Sequence, residues 1–193
     1  MVPSAGCGRP SDAERVEPIP TFAASAAPNA AAPRPRTTLL PTDCAEVISG
    51  DTMSALLGQP MGSVQARTVL GQPAPSVGRL ERVTCLYLRG RPLVTVNLGA
   101  YSTPTAADSQ LSTNVSAERG EARSVQQLSI GSAKAVLLDE RDQTVLMVAS
   151  GRSGMTLGLN HGAVPPRYIQ PIMVDMAQRM LPTLVPRKTT EPR

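Results

Sequence analysis

Three cysteines carry the most distinctive chemistry in this 193-residue sequence: Cys7, Cys44 and Cys85. Their spacing contains no Cys-x-x-Cys pair and matches no zinc-ligand pattern. One interpretation is that all three are buried or incidental free thiols. The other pairs Cys44 with Cys85 in a disulfide and leaves Cys7 a separate role. Such a bond closes a loop of about 40 residues, stabilises the domain by about 4 kcal/mol and requires an oxidising compartment.

Cys7 ends the tripeptide Ala5-Gly6-Cys7, which matches the last positions of a bacterial lipobox. In a lipobox, small residues precede a cysteine that receives diacylglycerol and palmitate once the leader is cleaved. Two features depart from the pattern: Ser4 replaces the usual apolar residue, and only six residues precede Cys7, too few for the apolar part of a signal peptide. The sequence predicts lipidation of Cys7 if Met1 lies downstream of the true start. The alternative is a chance match in an Ala-rich segment.

His161 is the only histidine and therefore the first candidate for a general base or a metal ligand. No Cys, Asp or Glu lies close to it in the sequence, and acid–base catalysis needs a positioned partner, so we interpret it as an exposed loop residue. The acidic turn at 139–142 lacks the ligand spacing of a calcium loop, and Ser153 lies in no Gly-x-Ser-x-Gly motif. We expect a protein that is not an enzyme and has no metal site and no cofactor.

The net charge of +4 is concentrated outside the middle of the chain, because residues 42–185 hold 12 basic and 11 acidic side chains. A nearly neutral domain lacks the positive field that phosphate backbones require, and four aromatic residues are too few for base stacking. We therefore expect no nucleic-acid partner. The one basic concentration in this region comprises Arg79, Arg82, Arg89 and Arg91. Because Arg82 and Arg89 point to opposite faces of one continuous strand, we interpret the four as a solvated edge.

Met173, Met176 and Met180 form an apolar stripe on the predicted C-terminal helix. Methionine adapts to irregular ligands, so the stripe is a candidate apolar groove for a lipid. Its spacing is equally that of an ordinary core-facing helix. The sequence leaves both interpretations open.

The composition divides the chain into three parts. Residues 1–41 hold eight of the 19 prolines and many alanines, which predicts a disordered, partly polyproline spacer after Cys7. Residues 42–185 predict a single folded domain, and residues 186–193 a flexible polar tail. No stretch is long and apolar enough to span a membrane, so any membrane attachment depends on the lipid at Cys7 or on a missing N-terminus.

The hydrophobic periodicity within 42–185 predicts the order helix, three strands, helix, four strands, helix. A broken pair of short helices comes first, Thr103 and Pro104 begin the middle helix, and the last helix covers 170–181. The predicted strands are 65–70, 82–89, 93–101, 124–129, 133–138, 144–150 and 155–160. This order indicates an α+β fold: an antiparallel sheet of about six to seven strands in two meanders, with the helices packed on it.

Three short segments resemble the small exported lipoproteins of actinobacteria, mycobacterial types especially. They are Thr-Asp-Cys at 42–44, Leu-Leu-Gly-Gln-Pro at 56–60 and Val-Thr-Cys-Leu-Tyr at 83–87. Those proteins carry an Ala/Pro/Ser-rich spacer, a cysteine in the first helix and a second cysteine followed by an aromatic residue in a strand. Tyr87 stands where such domains often have Trp. The resemblance, over about residues 42–101, implies a Cys44–Cys85 disulfide and a cell-envelope location.

These observations predict a non-enzymatic cell-envelope lipoprotein, anchored through Cys7 to the outer face of the plasma membrane. Its globular domain would bind an envelope protein or an apolar ligand. The alternative is a soluble periplasmic or extracellular sensor or lipid carrier with an internal pocket. A third hypothesis, an enzyme, requires a polar cleft that joins His161 to acids distant in the sequence.

Overall fold

The computed structural model describes residues 38–184, which leaves Cys7, most of the predicted spacer and the predicted tail outside the described part. The helices are α1 (Cys44–Val47), α2 (Gly50–Leu56), α3 (Pro104–Glu118) and α4 (Pro166–Leu184). The strands are β1 (Gln65–Gly71), β2 (Arg79–Arg89), β3 (Arg91–Tyr101), β4 (Ser124–Ile130), β5 (Ala133–Asp139), β6 (Gln143–Ser150) and β7 (Ser153–Asn160).

All seven strands form one antiparallel sheet in the order β1-β2-β3-β7-β6-β5-β4. The two predicted meanders are β1–β3 and β4–β7, and they join where β3 pairs with β7 with Val96 opposite Leu157. The predicted α+β class and element order are confirmed. None of the helices within residues 38–184 is long and apolar enough to cross a membrane.

One face of the sheet carries the main core. The period of two along each strand turns Cys85, Val96 and Leu157 to this face, where all three are fully buried. Helices α1, α2 and α4 cover it, with Met53 of α2 and Met176 of α4 among the fully buried contacts. Burial of such side chains contributes roughly 1.5–3 kcal/mol each, which makes this layer the main source of stability.

The Cys44–Cys85 disulfide joins the first helix to the middle of β2, with the two Cα atoms 5.5 Å apart and both cysteines fully buried. Two residues further along β2, the hydroxyl of Tyr87 donates to the carbonyl oxygens of Ile48 at 2.9 Å and Cys44 at 3.4 Å. Burial raises the pKa of this hydroxyl, so it stays protonated as a donor. Strand β2 thus holds the end of α1 by one covalent bond and by a hydroxyl proton shared between two carbonyl oxygens.

The folded region extends N-terminally beyond the predicted boundary at 42. Leu40 is buried, and the backbone N–H groups of Leu39 and Leu40 donate to Oε2 of Glu81 at 2.8 and 3.0 Å. Residues before Thr38 are not described. Glu81 therefore fastens the start of the described chain to β2.

Helix α3 lies on the opposite face of the sheet and covers only part of it. Its Val115 packs with Leu138 of β5 and with Val145 and Met147 of β6 in a second, smaller cluster. As predicted, Thr103 caps the helix, accepting from Ala106 N–H at 3.1 Å. Only Ala107 and Val115 of the helix are buried, and a groove is left between the helix and strands β2, β3 and β7.

Two elements differ from the sequence prediction. Strand β2 begins at Arg79 and contains a register shift between Arg79 and Glu81, which no sequence period reveals. Helix α4 begins four residues before the predicted 170 and continues past Pro182 to Leu184. Each interior proline removes one helical hydrogen bond, but the buried apolar stripe on the sheet holds the helix together across it.

Replacing Cys44 and Cys85 together by Ser should lower the free energy of unfolding by about 4 kcal/mol, because the unfolded chain is no longer constrained. Urea unfolding of the full chain, with and without reductant, measures this. Cys7→Ser is the matched control and should leave the unfolding midpoint unchanged. Equal midpoints for wild type and the double variant would contradict a disulfide at this position.

Candidate functional site

A groove of about 260 Å³ lies between α3 and the open part of the sheet, and we call it the α3 groove. Its floor is formed by side chains of β2, β3, β7 and β6. Its wall is one side of α3, from Ala107 to Glu118. Its polar lining comprises Arg79, Arg82, Asn97, Tyr101, Gln110, Asn114, Glu118 and Thr156.

The irregularity in β2 brings two arginines to the same face. Arg79 pairs with Tyr101 and Arg82 with Gly99, while Glu81 pairs with Ala100, so an extra residue is accommodated between Arg79 and Glu81. Without this bulge, residues 79 and 82 would point to opposite faces, because side chains alternate along a strand. The bulge therefore places both guanidinium groups beside the α3 groove.

The aromatic ring of Tyr101 lies against two glycines at one end of the groove. A Cβ atom placed on Gly99 would come within 3.0 Å of the ring, and one on Gly154 within 3.1 Å. These two residues face each other across β3 and β7. Their missing side chains give the ring room to lie on the sheet, where Tyr101 is 6% exposed. An alanine at either position would force the ring to move.

The two arginines make few contacts that would neutralise them. Arg82 Nη2 donates to Asn97 Oδ1 at 3.0 Å, and Thr84 Oγ1 donates to the same oxygen at 2.7 Å. Nε of Arg79 is buried and has no hydrogen-bond partner among the described residues. Neither arginine forms a salt bridge within residues 38–184. A buried donor without a partner is unfavourable and marks a place where an acceptor would be stabilising.

The helical wall of the groove is polar but carries a charge only at its far end. Gln110 Nε2 donates to Asn114 Oδ1 at 2.7 Å, which fixes the orientation of both amides. Glu118 is the last residue of α3. At 1.5 Å per residue it stands about 16 Å along the helix from Ala107, which lies at the Tyr101 end. Positive charge and negative charge therefore enter the groove from different elements.

Burial raises the pKa of the Tyr101 hydroxyl above its ordinary value of 10.0, while the positive charges of Arg79 and Arg82 oppose the rise. The net shift is upward, so the hydroxyl is neutral at physiological pH. A neutral phenol can donate a hydrogen bond into the groove.

A second groove, of about 570 Å³, lies on the other side of α3 against β4 and β5. Serines, alanines and aliphatic side chains supply most of its lining, and two basic residues, Arg119 and Lys134, also border it. Lys134 already pairs with Asp108 at 3.1 Å. It presents fewer convergent polar groups than the α3 groove, which makes the α3 groove the stronger candidate site.

His161 is half-buried and paired, rather than exposed as the sequence indicated. Its Nε2 lies 3.3 Å from Oδ1 of Asp139 and 3.2 Å from Oγ1 of Thr144. The sheet brings these residues together at the shared end of β5, β6 and β7. Both contacts use the same ring nitrogen. A catalytic triad instead needs the nucleophile on one nitrogen of the histidine and the carboxylate on the other, so these three residues do not form one. It also lies outside both grooves, and no cluster of three metal-ligating side chains occurs within residues 38–184.

The structure places the other candidate residues away from the α3 groove. Met173, Met176 and Met180 are fully buried in the core between α4 and the sheet, and they line neither groove described above. Arg89 Nη1 donates to Oε1 of Gln59 at the opposite end of β2 from Arg79. The four arginines grouped by sequence thus separate, and only Arg79 and Arg82 share a site.

Sequence reasoning singled out Arg79 and Arg82, as part of a solvated edge, and missed the other residues that form this site. Tyr101, Gly99 and Gly154 carry no motif, and α3 shows no polarity that singles out Gln110 and Asn114. One signal was present: β2 and β3 both carry polar residues on the face opposite the core, Arg82 and Thr84 on β2 and Thr95 and Asn97 on β3.

No protein-family model matches this chain, and no curated protein matches it. Among solved structures, the fold is similar to the extracellular domain of PknH from Mycobacterium tuberculosis. The TM-score is 0.48 and the identity 11%, with 75% of this chain and 92% of that chain covered. Likeness at this level says nothing about what this chain binds.

Arg79→Gln should raise the pKa of Tyr101 further, because the phenolate loses a stabilising positive charge. Alkaline titration of the full chain, followed by tyrosinate absorbance, measures the shift, and Tyr101→Phe identifies the component. Arg141→Gln removes the same charge from an exposed turn and should leave the pKa of Tyr101 unchanged.

Because the pKa of Tyr101 is raised in the folded state, the stability that Tyr101 contributes is present below its unfolded pKa. That stability is lost as the pH rises through the folded-state pKa. A Tyr101 component unmoved by Arg79→Gln would contradict the proximity of the two groups.

Proposed function

We propose that this chain is an exported, non-enzymatic binding domain, held at the outer face of the plasma membrane by a lipid on Cys7. The observation that carries the proposal is the buried Cys44–Cys85 disulfide. Disulfides form and persist in oxidising compartments and are rare in the cytosol, so a structural disulfide supports export. The Ala-Gly-Cys sequence at 5–7 supports a lipid anchor.

Binding, rather than catalysis, is supported by the composition of the α3 groove. Its lining contains no histidine, cysteine or serine, and the one carboxylate belongs to Glu118. Groups that only donate or accept hydrogen bonds predominate, as in sites that orient a ligand without reacting with it. We propose that the domain acts by holding a small polar ligand in this groove.

The expected apolar ligand receives less support than a polar one. A groove along Met173, Met176 and Met180 requires the core under α4 to open, because these side chains are fully buried. A protein partner remains compatible with the same lipid-anchored placement. The soluble carrier or sensor is the second candidate, and it differs from the first in carrying no lipid on Cys7.

The test is mass spectrometry of the protein expressed from its native locus and isolated from its own host. We expect diacylglycerol on Cys7, a new N-terminus at that residue, and recovery with the membranes. Cys7→Ser should abolish lipidation, and the variant should then be released from the membrane fraction. Alkylation before and after reduction should show Cys44 and Cys85 oxidised in both forms.

Two results would count against the proposal. Unmodified protein that begins at Met1 in the cytosol, with Cys44 and Cys85 reduced, would overturn both export and the anchor. A secreted, processed chain without lipid would favour the soluble alternative. Ser4→Leu provides a matched control, because it restores the usual lipobox residue and should leave lipidation intact or increase it.

A further inference from the structure

We propose that the α3 groove binds a small molecule through a single anionic group, a carboxylate or a phosphate, held by Arg79, Arg82 and the hydroxyl of Tyr101. This inference rests on the proposed role as a binding domain and names the chemistry of its ligand. The anionic group would lie at the end of the groove where the bulge in β2 and the Tyr101 ring meet.

The two guanidinium groups supply the attraction. They converge on one face because of the bulge, and neither has a carboxylate partner within residues 38–184. Arg79 additionally has a buried Nε without an acceptor. Arginine presents a planar fork of donors that fits carboxylate and phosphate oxygens. An anionic oxygen at this point would satisfy the orphaned donor and neutralise a partly desolvated charge.

Neutral donors complete the anionic end. Tyr101 carries a protonated hydroxyl held in place by the glycine floor. Asn97 uses its oxygen for Arg82 and Thr84, which leaves its NH₂ group free to donate to a ligand. Charged and neutral donors together are the usual composition of an anion site in proteins.

The remaining groove limits the ligand to one anionic group and a small size. Glu118 lines the groove on the helical side and would repel a second anionic group there. The volume of about 260 Å³ lies below the range of roughly 300–1,000 Å³ typical of drug-sized ligands. The Gln110–Asn114 pair offers hydrogen bonds to an uncharged polar portion of the ligand.

The experiment uses matched pairs of probes that differ in charge: glycerol 3-phosphate against glycerol, and N-acetylglycine against N-acetylglycinamide. Each is titrated into the isotope-labelled full chain while backbone amide shifts are followed by NMR. We expect the anionic member of at least one pair to shift amides at Arg79, Arg82, Gly99 and Tyr101 in a saturable way. The neutral partner should bind at least tenfold more weakly, since it lacks charge-assisted hydrogen bonds. Which pair responds distinguishes phosphate from carboxylate.

Charge variants test the assignment. Arg79→Gln and Arg82→Gln should each weaken binding of the responding anion by roughly tenfold or more. Arg141→Gln, which removes an equal charge outside the groove, should change it by less than about twofold. Glu118→Gln should not weaken binding, because Glu118 lies toward the other end of the groove and makes no contact with the anionic group. A merely structural role for the groove residues predicts that Glu118→Gln weakens binding as well. If Arg79→Gln unfolds the chain, the variant at the exposed Arg82 still decides the question.

Three results would overturn the inference. The first is that neither anion shifts the amides of the groove. The second is that the neutral partners bind as tightly as the anions. The third is that Glu118→Gln weakens binding as much as the arginine variants do. Equal binding of neutral probes would leave the proposed binding role standing while removing its anionic character. Export and lipidation are measured separately at Cys7, so a failure there leaves this result intact.

Discussion

The sheet of this domain is much wider than a single helix, and this difference in width determines how its two faces are covered. Seven strands spaced about 4.8 Å apart make a sheet about 29 Å wide, whereas a helix with its side chains is only about 10 Å across. Three helices share one face and close it into the main core. Among the described residues the other face receives only α3, which packs on Val145, Met147 and Leu138 and leaves a groove beside β2, β3 and β7. The floor of this groove is built in part from polar or small residues, Asn97, Gly99 and Thr156.

Much of the fold follows from patterns that the sequence displays openly. Alternation in residues 93–101 and 155–160 predicts two half-buried strands, and these become the central pair of the sheet. Thr103 and Pro104 mark the start of α3 correctly because capping and proline chemistry are local. The two meanders also follow from local turns. Long-range pairing of β3 with β7 is consistent with the predicted order but is fixed only by the shared core.

The candidate site was far less predictable, since it depends on one irregular position. A strict period of two separates Arg79 from Arg82, and only the bulge before Glu81 reunites them. A bulge leaves no repeat in the sequence. The pairing of His161 with Asp139 was hidden for a different reason: its partner is 22 residues away and reaches it through an intervening strand. The pairing of Cys44 with Cys85 was easier to predict, because Cys7 lies apart from the other two cysteines in the sequence.

The contact of Glu81 with Leu39 and Leu40 has a mechanical consequence. A force applied through the residues before Thr38 would first meet the two hydrogen bonds to Glu81 and then the covalent link between Cys44 and Cys85. Both attachments end on β2, so the load enters the sheet along this strand while α3 and α4 are bypassed. The same strand carries Arg79 and Arg82. Tension on the N-terminal side would therefore be felt next to the groove while the hydrogen bonds to Glu81 hold. Once they break, the disulfide passes the load from Cys44 to Cys85, and the loop between the two cysteines cannot be extended until that bond is reduced.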